Sequence, residues 1–154
     1  MSNIRRATES DVPTMLDMAQ AMHAESPRFR HLDFSQEKTT AFLHELIASP
    51  QAVALVAVRE GKLVGMIGGC INEHFFGYDK VAYDFGLYVI PEYRGTILAV
   101  RFVHLFEEWA EVQGAKDVIF GISTEVKAEG VSKLLMTLGF DRSGYLMRKE
   151  INHV

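Results

Sequence analysis

The sequence predicts an α+β (mixed α/β) domain, a central and mostly antiparallel sheet flanked by about four helices. Three observations predict it. Apolar residues recur at helical spacing in four segments, β-type apolar runs fill the stretches between them, and turn residues mark nearly every boundary. The predicted order is β-α-α-β-β-β-α-β-α-β, with antiparallel strands in the first half and a parallel step around the longest helix. No repeat, low-complexity tract or linker divides the 154 residues, so residues 1–154 read as one domain.

Each element has a local reason. Residues 4–8 are a short strand candidate. Ser10 or Asp11 can cap a helix with Pro13 in its first turn, and Val12, Met15, Leu16, Met18, Ala19 and Met22 carry it to about His23. Residues 24–31 break the pattern and read as a loop. Ser35 caps a second helix striped by Phe42, Leu43, Leu46 and Ile47. Two strands, 52–58 and 63–71, flank Glu60-Gly61, a tight-hairpin signal. The loop 73–79 leads to a strand over 81–90.

The longest helix follows Gly95, with Leu98, Phe102, Leu105, Phe106 and Trp109 on one face, and ends at Gly114, a residue suited to the left-handed C-terminal position. Residues 118–122 read as a buried strand, 127–138 as a helix stopped by Gly139, and 144–151 as a last strand.

The segment Leu87-Tyr88-Val89-Ile90-Pro91-Glu92-Tyr93-Arg94-Gly95-Thr96-Ile97-Leu98-Ala99 is the most informative for function. A strand runs into Pro91, a basic glycine-containing turn follows, and a long helix begins. Such a turn gathers backbone N–H groups at a helix N-terminus, where the macrodipole adds positive potential. That arrangement suits a phosphate or pyrophosphate. A plain strand-to-helix connection is the competing reading.

With these residues and the late Leu138-Gly139-Phe140, the chain resembles the GCN5-related N-acetyltransferase (GNAT) superfamily over nearly its whole length. The resemblance implies an acetyl-CoA-dependent N-acetyltransferase without a metal, acting on a primary amine of a small molecule or protein. It implies that Leu87, Tyr88 and Val89 bind the pantetheine arm through backbone groups, and that Arg94, Gly95, Thr96, Ile97, Leu98 and Ala99 form the pyrophosphate turn. The family turn reads Q/R-x-x-G-x-G/A. Arg94 and Ala99 fit it, whereas Ile97 replaces the middle glycine and would crowd the approach to the phosphates. The family's general-acid tyrosine, four residues before the late glycine, corresponds to Leu135, and a frequent asparagine corresponds to Ala128. Those two roles do not transfer. A catalytically weak or inactive acyl-CoA-binding module on the same fold is therefore the alternative.

The chemistry needs a neutral amine, a stabilised oxyanion and a proton for the thiolate, and backbone N–H groups can serve the oxyanion. Asp84, among apolar neighbours on the strand 81–90, is the leading base candidate. An ordinary sheet-face carboxylate is the competing reading. Tyr83 is the alternative on the other strand face. Tyr145 on the last strand is a substitute acid or a core residue. For the acceptor, His23, Glu25 and Arg28 on the loop after the first helix are candidates, and Phe76 walls the site, forms a dimer contact or packs in the core.

Composition excludes other classes. The net charge of -4 argues against a nucleic-acid partner. No apolar stretch is long enough to span a bilayer and the first residues lack a signal-peptide core, so no membrane association and a cytoplasmic location are expected. Cys70 is the only cysteine and reads as a structural thiol. His44-Glu45 lacks the second histidine of H-E-x-x-H, so no metal site is expected, and neither a G-x-S-x-G elbow nor a P-loop is present. A homodimer has no clean signature in the sequence.

Overall fold

The computed structural model describes residues 2–122 and 126–151. Its elements are β1 (Asn3–Arg6), α1 (Val12–Glu25), α2 (Gln36–Ala48), β2 (Ala52–Arg59), β3 (Lys62–Glu73), β4 (Lys80–Val89), α3 (Leu98–Val112), β5 (Ala115–Ile119) and α4 (Ala128–Thr137). The five strands form one sheet in the order β1-β2-β3-β4-β5, antiparallel as far as β4, with β5 parallel to β4. The α+β expectation holds.

Both sheet faces are covered, which is why β2 reads as a continuous apolar run. Val53, Leu55 and Ala57 face α3, packing with Phe102, Phe106 and Trp109. Ala52, Ala54 and Val56 face α1 and α2, packing with Met15, Met18, Leu43 and Leu46. On the α3 side, β3 must be bare: a Cβ on Gly69 would stand 2.4 Å from both the Phe106 ring and the Tyr83 carbonyl oxygen. That glycine sets how closely α3, and hence its N-terminus, approaches the sheet.

Local signals mostly act as predicted. Ser35 Oγ accepts the Lys38 N–H at 3.1 Å, and Glu60 and Gly61 both take positive φ in the hairpin. The first helix is capped one turn earlier than expected. The Thr8 N–H donates to the Asp11 carboxylate, which Arg5 also grips with two N–H groups at 2.7 and 3.0 Å. The near-burial of Asp11 is offset by those donors, which lower its carboxyl to about 2.

Two expectations are corrected at the C-terminal side. The buried strand over 118–122 is instead an edge strand three residues earlier, with Ile119 46% exposed. The strand over 144–151 does not form: that stretch pairs with no described strand, and Tyr145, Leu146, Met147 and Ile151 are exposed. A period-2 pattern makes a strand only where a neighbour supplies the hydrogen-bond ladder.

Candidate active site

The last two strands of the sheet part halfway along β4. β4 and β5 pair through Lys80, Val81, Ala82 and Tyr83 against Ala115, Asp117, Val118 and Ile119, and no further. Opposite, the β3–β4 register slips between Gly68 and Gly69, which face Gly86 and Asp84, so Phe85 is an extra, bulged residue. Bulges bend a strand and re-aim its side chains. Beyond this point a cleft of about 410 Å³ opens between β4 and the chain following β5, floored by Ala99 and Val103 of α3 and closed by Leu134 and Leu135 of α4.

Asp84 stands where the strands part. Its Oδ1 accepts the Gly121 N–H at 3.0 Å, so it spans the gap where the ladder ends. Burial raises its carboxyl to about 6, against the opposing pull of that N–H. Tyr83 and Asp84 both line the cleft. Ladder geometry sends the polar groups of alternate residues to opposite sides. The Ile90 N–H donates to the Val64 carbonyl at 3.0 Å, so the polar groups of Ile90 and Tyr88 face β3, whereas the Val89 carbonyl accepts the Arg94 Nε–H at 2.8 Å on the open side. The backbone groups of Leu87 and Val89 therefore face the cleft.

The turn is built as a support for α3. Pro91–Tyr93 forms a 3₁₀ turn, Gly95 takes φ of 78°, and Thr96 Oγ1 donates to the Tyr93 carbonyl at 2.8 Å while accepting the Leu98 N–H at 3.3 Å. The Thr96 hydroxyl is engaged in capping its own turn. Ile97 points outward, 63% exposed, and lines neither the cleft nor the second cavity described below. Leu98 is buried in the core, and Ala99 lines the cleft.

Arg94 differs most from expectation. Both terminal nitrogens donate to the Glu25 carboxylate at 2.8 Å, and the guanidinium lies 5.3 Å from the Tyr88 ring centre. The side chain ties the turn to the end of α1, and the Glu25 bonds raise its pKa further. Glu25 is thereby engaged by Arg94, although it still lines the cleft.

The remaining candidates are scattered. His23 lies 5.2 Å from the Phe34 ring, and its Nε2 is bonded to the Leu32 carbonyl at 2.8 Å. Arg28 lies over Phe29 and lines neither cavity. Phe76 sits at the β3–β4 hairpin tip against Phe75 and His74, 86% exposed and away from the cleft lining; the core and acceptor-wall placements are corrected. Tyr145 is 98% exposed on the unpaired tail, which corrects its placement both in the cleft and in the core. Leu135, in contrast, is buried and lines the cleft at the position where a tyrosine was sought.

Sequence reasoning missed Met22, Phe29 and the bulged Phe85, which line the cleft. The signal for Phe29 was the Ser26-Pro27 pair. Ser26 is fully buried, and its Oγ accepts the N–H groups of Arg28 and Phe29 at 3.3 and 3.2 Å, folding the loop back over the site. Among the described residues no group of three His, Cys, Asp or Glu stands close enough to hold a metal, and no helix is long and apolar enough to cross a membrane.

The family model for "Acetyltransferase (GNAT) family" matches residues 18–140. No curated protein matches in sequence. Solved structures similar over nearly the whole chain include AAC(6')-Iy in complex with the bisubstrate analogue CoA-S-monomethyl-acetylneamine (TM-score 0.79, 14% identity, 99% of each chain). A Trypanosoma brucei acetyltransferase is similar with TM-score 0.76 and 22% identity, over 98% of this chain and 100% of that one. Glucosamine-6-phosphate N-acetyltransferase from Arabidopsis thaliana gives 0.76 and 18%, over 99% of each. At these identities the likeness is one of fold.

Proposed function

Since the chain belongs to the acetyltransferase (GNAT) family, we propose that it transfers an acetyl group from acetyl-CoA to a primary amine of a small molecule or protein by direct attack on the thioester. The observation that carries this reading is the parting of β4 and β5, with Asp84 where they diverge and the turn before α3 at the far end. The apolar lining and the open backbone groups of Leu87 and Val89 fit an extended amide-bearing arm. The turn Gly95 to Ala99 and the α3 N-terminus fit its pyrophosphate. Bound there, acetyl-CoA supplies an activated acyl carbon and a thiolate leaving group.

The chain's own residues then do three things. The cleft excludes water and aligns the two reactants. Backbone N–H groups along the open side of β4 favour the developing oxyanion. Asp84, poised near neutrality, takes the proton that the amine nitrogen releases as the C–N bond forms and the C–S bond breaks. With Leu135 in the cleft wall, the departing thiolate takes its proton from solvent.

Thiol release from acetyl-CoA over a panel of amines tests the activity. CoA that raises the melting temperature with no amine turned over would favour the alternative, a non-catalytic CoA-binding module, for which Leu135 is the specific argument. Two further elements belong to this reading. The exposed edge of β5 and the exposed Phe75, Phe76, Tyr78 and Tyr145 support a homodimer, to be checked by sedimentation. The single thiol of Cys70, its pKa pushed up by burial, supports a cytoplasmic protein with no redox role for that residue.

A further inference from the structure

A second cavity of about 230 Å³ lies on the α1–α2 face of the sheet, and no function so far uses it. It is not a core void. Two of its wall residues, Phe42 and Phe85, meet edge to face at 5.1 Å yet remain 39% and 50% exposed. Together with the surrounding side chains they form an apolar wall that is open to solvent. The cavity also adjoins the cleft: Met22, Phe29, Phe85 and Gly86 line both. The shared wall is the bulge, one residue from Asp84. It has little room to spare, since a Cβ on Gly86 would stand 3.2 Å from the Met22 methyl.

Resting on the acetyltransferase reading above, we propose that this cavity is the acceptor subsite and takes the uncharged hydrocarbon part, an aromatic ring or short alkyl chain, of a monoamine. Two reactants must reach one point from different sides. The donor occupies the cleft from the α3 turn inward, which leaves the α1–α2 face for the acceptor. The wall chemistry selects its class. Among the described residues, His23 and Thr39 are the cavity's only side chains able to hydrogen-bond, and His23 Nε2 is already bonded to the Leu32 carbonyl. No carboxylate, lysine or arginine among those residues lines it. A polycationic acceptor would leave its ammonium groups desolvated without partners. An apolar cavity of ~150 Å³ takes up benzene, so this one has room for a ring and a short tether, with the amino group directed towards Asp84.

The test uses thiol release from acetyl-CoA with ethylamine, butylamine, hexylamine and phenethylamine, and with glucosamine and kanamycin as polar comparators. The expected result is a kcat/KM that rises about two- to fourfold per methylene, with kanamycin at least a hundredfold below phenethylamine. Equal or faster turnover of kanamycin or glucosamine overturns the proposal. Ala19→Phe fills the cavity from α1 and should raise the phenethylamine KM at least tenfold while changing the acetyl-CoA KM less than twofold. If that variant instead alters the preference among acetyl-, butyryl- and hexanoyl-CoA, the cavity holds the acyl chain and the proposal falls.

Should Ala19→Phe fail to fold, competition by 2-phenylethanol decides. Inhibition competitive with the amine supports the subsite, and none at millimolar concentration overturns it. The subsite can also fail or stand apart from the activity. With no amine turned over, saturation-transfer NMR of 2-phenylethanol on the CoA-bound protein supports it by contact and overturns it by silence.

Discussion

Arg94 and Glu25, 69 residues apart, hold each other through two parallel N–H···O bonds of 2.8 Å, fastening the turn before α3 to the end of α1. The fork also reaches the Val89 carbonyl through Nε, so one side chain fixes three segments around the cleft. A lysine keeps the charge but cannot make the planar double contact. Arg94→Lys is expected to raise the acetyl-CoA KM about tenfold with a smaller change in kcat. Because both groups are about a third exposed, the stability loss should be only about 1 kcal/mol. Steady-state kinetics and urea unfolding check the two effects, and Glu25→Gln should reproduce most of both.

Asp84 gives two pH signatures of opposite sign. If it accepts the amine proton, kcat/KM rises as pH passes through about 6, and Asp84→Asn removes that limb and slows transfer roughly 10²-fold. Stability runs the other way. A carboxyl whose folded pKa lies above its unfolded 3.8 favours the fold while protonated and loses that contribution as pH rises through 6. Asp84→Asn should therefore be more stable than the parent at pH 8 by on the order of 2 kcal/mol and equal to it near pH 3.5. Urea midpoints at the two pH values decide.

Asp11 behaves in the conventional acid sense. Its carboxyl is held at about 2 by Arg5 and the Thr8 N–H, so it stabilises the fold above its unfolded pKa and loses that contribution as pH falls through 2. Asp11→Ala should cost about 2–3 kcal/mol at pH 7, between the values for exposed and buried pairs. The difference from the parent should shrink steadily below pH 4 in thermal melts.

Gly69→Ala is expected to be among the most damaging single-methyl changes. Its Cβ would collide with the Phe106 ring and the Tyr83 carbonyl, neither of which can move without shifting α3 or β4. A loss of about 3 kcal/mol is expected, together with weaker CoA binding by calorimetry, because α3 carries the turn.

What was legible in the sequence was whatever short-range chemistry dictates. Ser35, Glu60-Gly61, Gly95, Gly114 and the faces of α1 to α3 follow from caps, positive φ and periodicity. The strand-to-helix turn before α3 was legible for the same reason, since Pro91 to Ala99 is one continuous stretch. The partners of Arg94 and Thr96 were not, because a guanidinium's choice between a phosphate and a carboxylate 69 residues away is a tertiary matter. The bulge at Phe85 was hidden because Asp84-Phe85-Gly86 carries no register signal. The expectation for 144–151 failed from the opposite cause: alternation states what a strand would bury and says nothing about whether a neighbour is there.

The parting of the sheet also bears on how the molecule opens. β5 pairs with β4 through Lys80 to Tyr83, and beyond that the chain after it is held by the Asp84–Gly121 bond and the ring contacts from Phe106 through Phe120 to Phe140. β2 to β4 are sewn together over longer ladders, while β1 at the opposite edge is held by four pairs, as β5 is. A short seam thus runs beside Asp84, and partial unfolding is expected to begin there, detaching β5 and α4 while β2 to β4 stay closed. Whatever fills that gap acts as the missing stitch. Amide hydrogens of β5 and α4 should slow in exchange when CoA is added, and those of β2 and β3 should hardly respond.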